Sequence, residues 1–231
     1  MKRLVVLSGS GISAESGIKT FRDHGGLWEE HDVTEVASPM AWEKNRPLVI
    51  RFYNERRRDL LKAKPNEAHL ALARLEKKFK VEIITQNIDD LHERAGSTRV
   101  LHLHGELRKA RCTVNENDVY EIDGWELNEG DFSENGHQLR PHIVWFGEQV
   151  PEMERAVPIV NEADILLIIG TSLNVYPAAG LMNFCRPGTP VYVIDPGEPV
   201  GIDSMNVTFI NKKATEGIGD FIRMIGQEMK G

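Results

Sequence analysis

Six short apolar runs recur along the chain, at residues 4–7, 81–85, 100–103, 165–169, 191–194 and 207–210. Several are unbroken rather than alternating, which is the pattern of strands covered on both faces. Between many of them lie segments with apolar residues three and four apart, at 48–62, 66–79, 152–163 and 215–229, the period of a helix with one buried face. Strands alternating with helices predict an α/β fold with a mostly parallel sheet. Two stretches break the alternation. Residues 35–79 are helical with no strand between, and residues 111–141 are acidic and carry Gly124, Gly130 and Gly136. Both read as insertions that form a smaller inserted lobe, leaving 1–34, 80–110 and 142–231 for the larger one. A cleft between lobes is a usual place for a ligand.

Length and charge narrow the function classes. The 231 residues suit one large domain with an insert. The longest apolar stretch, 165–170, is too short to span a bilayer. Only three residues precede the first apolar run, which leaves no room for a secretory signal and predicts a cytoplasmic protein without a membrane partner. Cys112 and Cys185 are too few for a disulfide framework. Between Thr113 and His142 stand eight acids and one base, so this window carries the whole formal charge of −7. A neutral body with one acidic insert lacks the basic face that phosphate neutralisation needs, so no nucleic-acid partner is expected.

The first strand runs into Ser8-Gly9-Ser10-Gly11-Ile12-Ser13-Ala14, where Gly9, Gly11 and Ala14 match G-x-G-x-x-[G/A]. Glycines there permit a tight turn and close approach of backbone N–H groups to a pyrophosphate, which would make the fold Rossmann-like. Taken alone, the motif is equally a plain strand-to-helix turn. Asn87-Ile88-Asp89 follows a strand and taken alone reads as a turn. His102 and His104 share one side of an extended segment, and either is by itself an ordinary hydrogen-bonded strand histidine. His104 has a ring that titrates near neutral pH and can accept a proton from a hydroxyl.

Five segments together change these odds. They are Ala14-Glu15-Ser16-Gly17-Ile18-Lys19-Thr20-Phe21-Arg22-Asp23, then Thr85-Gln86-Asn87-Ile88-Asp89, then Leu103-His104-Gly105. Pro141-His142-Ile143-Val144-Trp145-Phe146-Gly147-Glu148 and Gly170-Thr171-Ser172-Leu173-Asn174-Val175-Tyr176-Pro177 complete the set. In content and order they resemble the signatures of the sirtuins, NAD-dependent protein deacylases, across nearly the whole of 1–231. The resemblance implies that NAD is consumed as a co-substrate. The acyl oxygen of a modified lysine displaces nicotinamide, and His104 takes a ribose hydroxyl proton as general base. Free lysine, nicotinamide and O-acyl-ADP-ribose are the products. It implies that Asn87 holds the attacking water. It assigns the cofactor to Gly9, Ser10, Gly11, Ile12, Phe21, Arg22, Trp28, Gln86, Asn87, Ile88, Asp89, Gly170, Thr171, Ser172, Asp195 and Ala214. Asp195 stands where many sirtuins carry Asn; an anion there repels a 2′-phosphate and favours NAD over NADP. Val144, Phe146, Gly147 and Glu148, with Leu173, Asn174 and Val175, are implied to bracket an extended acyl-lysine peptide by strand addition. His102 keeps its ordinary strand role, and Trp145 reads as core strand.

The chain also departs from the family. Most sirtuins hold zinc with two Cys-x-x-Cys pairs; here Asn115 occupies the partner position of Cys112, and the next cysteine is Cys185. No zinc is therefore expected. Tyr53 and Arg56, three apart in the helical stretch 48–62, resemble the Tyr-x-x-Arg signature of sirtuins that remove negatively charged acyl groups. A guanidinium fork with a phenol beside it suits a carboxylate, so succinyl- or malonyl-lysine is expected ahead of acetyl-lysine. An ADP-ribosyltransferase using the same pocket and a catalytically silent NAD-sensing module remain open alternatives.

Overall fold

The computed structural model describes residues 1–20, 32–171, 173, 176–197 and 207–228. The larger sheet contains β1 (Arg3–Ser8), β2 (Lys80–Thr85), β3 (Val100–His102), β7 (Ile165–Ile169), β8 (Val191–Ile194) and β9 (Val207–Ile210). All its pairings are parallel, in the order β3-β2-β1-β7-β8-β9. This is the doubly wound order, and strand order reverses between β1 and β7, where such folds bind ligands at the carboxyl ends. The unbroken apolar runs have their predicted cause. Val5, Leu7, Leu166 and Ile168 pack in one core cluster, while Leu4, Val6, Leu167 and Ile169 pack in another on the opposite face.

Helices α5 (Glu67–Leu75) and α8 (Ala214–Glu228) cover the second of those faces, and α7 (Met153–Asn161) with a 3₁₀ turn at Ala178–Phe184 covers the first. Asn66 starts α5 with a capping box whose second partner is His69. Its place in the strand-free stretch 35–79 predicts that this helix belongs to the small lobe. Instead Ala68, Ala71, Leu72 and Leu75 pack with β1 and β2, because its apolar stripe fits the main sheet.

The smaller lobe holds α2 (Val33–Val36), α3 (Pro39–Lys44) and α4 (Arg46–Lys62) beside an antiparallel sheet ordered β5-β4-β6. Its strands are β4 (Gly105–Cys112), β5 (Val119–Glu121) and β6 (Leu139–Ile143), so two of them extend past the predicted 111–141 boundaries toward the larger sheet. Trp42, Val49, Phe52, Leu107, Ile143 and Trp145 are among the residues of one core cluster that seals the helices onto this sheet. Among the described residues no helix is long and apolar enough to cross a membrane.

Candidate active site

The described residues line a cleft of about 1140 Å³ at the carboxyl ends of β1, β2 and β7. Small-molecule sites usually occupy roughly 300–1,000 Å³, so this cleft is large for one. Its floor is the reversal point of the sheet. The turn after β1 leads into α1 (Gly11–Ala14), a single helical turn. Gly9 N–H donates to Ile169 O (3.1 Å) and Gly11 N–H to Gly170 O (2.8 Å). A Cβ on Gly11 would stand 2.8 Å from Gly170 Cα. The glycines are thus required first because two backbone turns touch, and Gly170 itself has φ +63°. Gly9, Ser10, Gly11, Gly170 and Thr171 line the cleft.

The segment after β2 supplies the next wall. Gln86 Nε2 donates to Thr171 Oγ1 (3.2 Å) across the reversal point. Asn87 Nδ2 donates to Gly9 O (3.1 Å) and to Ser13 Oγ (3.2 Å), while Ser13 Oγ donates to Asp89 Oδ2 (2.9 Å). Asp89 is buried, and burial raises its pKa. Ser13 therefore links the two polar side chains that the sequence reading singled out, a role that reading did not assign. Its place inside the glycine motif marks it only as a turn residue until these partners are known.

His104 follows β3 and lines the same cleft. Its Nδ1 lies 3.0 Å from Gln86 O, and a carbonyl oxygen can only accept, so Nδ1 carries the proton. In the neutral ring Nε2 then keeps the lone pair. Burial lowers the His104 pKa, which favours that neutral form. Gly105 has φ +83°, and a Cβ there would run into His142 O; the His-Gly pair is thus a steric requirement where β4 meets the backbone of β6. His102 is held at both nitrogens, with Nδ1 donating to Asn87 O (2.9 Å) and Nε2 paired with Glu93 (2.8 Å). It has the structural role expected of it.

Tyr53 and Arg56 line the cleft from α4. Tyr53 is 3% exposed, and its hydroxyl accepts a bond from Trp145 Nε1 (3.0 Å). The Arg56 side chain is 17% exposed, so it is not a freely solvated charge; its guanidinium lies 4.0 Å above the Phe52 ring. Val144, Phe146, Gly147 and Glu148 line the same cleft. The Glu148 carboxylate is engaged by Arg140 Nη1 (2.6 Å), Arg111 Nη2 (3.3 Å) and Trp145 N (2.7 Å), so it braces this segment. Ile88, Asp195 and Ala214 also line the cleft, and Asp195 Oδ1 accepts from Gly197 N (2.9 Å).

The side chains of Ile12 and Leu173 are buried in the core clusters of the larger sheet. Phe21, Arg22, Trp28, Ser172, Asn174 and Val175 lie outside the described residues. Among the described residues, no three His, Cys, Asp or Glu side chains converge to hold a metal. Cys112 Sγ accepts from Val114 N and Asn115 N, each at 3.4 Å.

The parallel sheet, its strand order and the cleft at its reversal point define a Rossmann-like protein with a nucleotide-type site. Residues 9–177 match the model of the Sir2 family. A Helicobacter pylori (strain J99) protein named NAD-dependent protein deacylase is 55% identical over 99% of each chain. A crystal structure described as a Sir2 homolog–NAD complex superposes with a TM-score of 0.88 at 39% identity, over 98% of this chain and 90% of that one. A Sir2 complex with a deacetylated p53 peptide and 3′-O-acetyl ADP-ribose superposes at 0.82 and 32% identity, over 96% and 92%. The chain belongs to the Sir2 family.

Proposed function

We propose that the chain is an NAD-dependent protein lysine deacylase that removes succinyl and malonyl groups ahead of acetyl and needs no structural zinc. The observation that carries the reading is the convergence on one cleft of the glycine turns, the Gln86–Asp89 segment, His104 and the Tyr53–Arg56 pair. The solved relative with NAD and the one with peptide and acetyl-ADP-ribose support two substrates meeting in such a cleft.

NAD, when bound, supplies an electrophilic ribose carbon and nicotinamide as leaving group. The residues of this chain hold and time that chemistry. Gly9, Ser10, Gly11, Gly170 and Thr171 form the turn walls for the phosphates, and Ser172 is assigned to the same role. Gln86, Asn87, Ile88 and Asp89 face the ribose and nicotinamide end, and Phe21, Arg22 and Trp28 belong to the same set. Asp195 and Ala214 serve the adenosine end. His104 keeps its Nδ1 proton on Gln86 and accepts a ribose hydroxyl proton at Nε2. Asn87 orients water. Val144, Phe146 and Gly147, with Asn174 and Val175, hold the peptide backbone.

Arg56 and Tyr53 take the carboxylate of the acyl chain. A hydrogen bond to a charged group is worth roughly 1.5–3 kcal/mol, so Arg56→Met should lower kcat/KM on succinyl-lysine about 10- to 150-fold more than on acetyl-lysine. The deciding assay follows nicotinamide release and O-acyl-ADP-ribose across acetyl-, succinyl- and long-chain acyl-lysine peptides. Better turnover of acetyl-lysine would remove the acyl preference. Labelled ADP-ribose left on protein would point to a transferase, and NAD binding without nicotinamide release to a silent module.

A further inference from the structure

Trp145 lines the cleft beside Tyr53 and is bonded to it. Its indole nitrogen stands 3.0 Å from Tyr53 Oη, and both side chains are buried, at 2% and 3% exposure. An indole N–H can only donate. The Tyr53 oxygen is therefore the acceptor, and the phenolic hydrogen must point elsewhere. Among the described residues no acceptor takes it. Tyr53 lines the cleft, so the remaining donor capacity of a buried phenol is available to a ligand there.

The indole is held in that pose from three directions. Arg140 lies over its ring with the guanidinium carbon 3.3 Å from the centroid. Trp42 packs against it at 5.8 Å between centroids. Its own N–H on the main chain donates to Glu148 Oε2 (2.7 Å), the carboxylate that also grips Arg140. The cation over the π face draws density from the ring and strengthens the indole as a donor. Burial meanwhile raises the Tyr53 pKa above its ordinary value, which keeps the phenol protonated.

We infer that Trp145 is a positioning residue for acyl specificity: its indole N–H occupies the Tyr53 oxygen and so presents the phenol to the cleft as a donor. This rests on Tyr53 and Arg56 being the acyl-recognition pair. An acyl chain ending in a carboxylate satisfies that donor. An acetyl group ends in a methyl and leaves it unpaired. A site built around a buried donor discriminates against a ligand lacking the acceptor. The same fixed polarity does not help a ligand group that could only donate, so the device selects acceptors as such.

The test compares Trp145→Phe, which keeps an aromatic ring and removes the N–H, with Tyr53→Phe and the double variant. The quantity read is the ratio of kcat/KM for succinyl-lysine to that for acetyl-lysine. Trp145→Phe should lower the ratio about 3- to 10-fold, the range for one hydrogen bond between neutral groups. The loss should fall on KM for the succinyl peptide and not on kcat. In the Tyr53→Phe background Trp145→Phe should lower the ratio no further, since its effect passes through the phenol. Equal losses on both substrates, or a further fall in the double variant, would overturn the inference. Tyr53→Phe decides the matter even if Trp145→Phe fails to fold, because an unchanged ratio in that single variant excludes a positioned phenol. A wild-type enzyme that prefers acetyl-lysine overturns the acyl-recognition reading itself. Succinyl preference lost in Arg56→Met but kept in Trp145→Phe overturns the role of Trp145 alone.

Discussion

His104 and His102 stand two residues apart on the same extended segment, and only their partners separate them. His102 is bound at both ring nitrogens, to Asn87 O and to Glu93, and has no nitrogen left for chemistry. His104 is bound at Nδ1 alone and lines the cleft. Removal of a general base typically costs ~10²–10⁴-fold, and His104→Ala should lose nicotinamide release coupled to deacylation on that scale. Near-wild-type turnover would show that another group accepts the proton. The pH profile adds a second check. Burial lowers the His104 pKa from the ordinary 6.5, so the neutral, proton-accepting ring persists to more acid pH. The acid limb of kcat/KM should bend below 6.5, and a bend at or above that value would contradict the burial argument. The motif made His104 legible in the sequence as a candidate, and the fold brings it to the cleft. Ser13 and Trp145 were not legible, because a serine inside a glycine turn and a tryptophan inside an apolar strand signal packing until their cross-chain partners are known.

The acidic insert poses a different problem at the scale of elements. Most family members are expected to staple this lobe with zinc, and the lone cysteine there was enough to expect otherwise. What holds the lobe could not be read, because the partners lie far apart along the chain. Asn54 Nδ2 donates to Leu127 O (2.9 Å), and Leu127 N–H donates back to Asn54 Oδ1 (3.1 Å). Arg57 is fully buried, with Nε on Leu107 O (2.6 Å) and Nη1 on Trp125 O (2.7 Å) and Asn54 Oδ1 (2.8 Å). One turn of α4 thus satisfies the backbone of β4 and of the loop after β5. Burial lowers the Arg57 pKa to about 10, so the charge stays on at neutral pH. Arg57→Met would strand those carbonyls at a cost of about 3 kcal/mol. For a chain of this length that is a fall in Tm of roughly 6–12 °C. A Tm within a degree or two of wild type would show that the lobe is held elsewhere. Chelator treatment should leave both Tm and activity where they were, whereas stoichiometric zinc in elemental analysis of the purified protein would refute the zinc-free reading.

For the molecule as a whole, the buried histidines behind the cleft set how stability responds to acid. His69 on α5 and His92 on α6 (Leu91–Arg94) meet edge-to-face at 4.9 Å between ring centroids, and His92 Nε2 lies 2.9 Å from Ser8 Oγ at the end of β1. The two rings therefore join the helices on one face of the sheet to its central strand. Burial lowers the His69 pKa from 6.5 to about 4, and burial drives His92 well below its ordinary value, with the charge of His69 adding to the effect. Both rings are neutral in the folded chain and charge freely once it unfolds. The unfolded state then binds more protons below pH 6.5, so stability falls as pH falls through the window from 6.5 to about 4. Each such group changes stability by at most ~1.4 kcal/mol per pH unit. Two groups act in the opposite sense. Asp89 has a raised pKa, so wherever it is protonated in the folded chain and ionised in the unfolded one it opposes the histidines. His102 also has a raised pKa, but its contribution is already complete below 6.5 and adds no slope. Burial lowers the pKa of His104 and His142 as well, so the net expectation is a fall in Tm on acidification within that window. Calorimetric melts between pH 7 and pH 5, with proton uptake on unfolding measured in buffers of different ionisation enthalpy, give both numbers. Net proton uptake by the unfolding chain near pH 5.5 is the expected result. A Tm that holds or rises as the pH falls would mean that the histidine pair is protonated in the folded protein and that the packing around Ser8 opens to admit the charge.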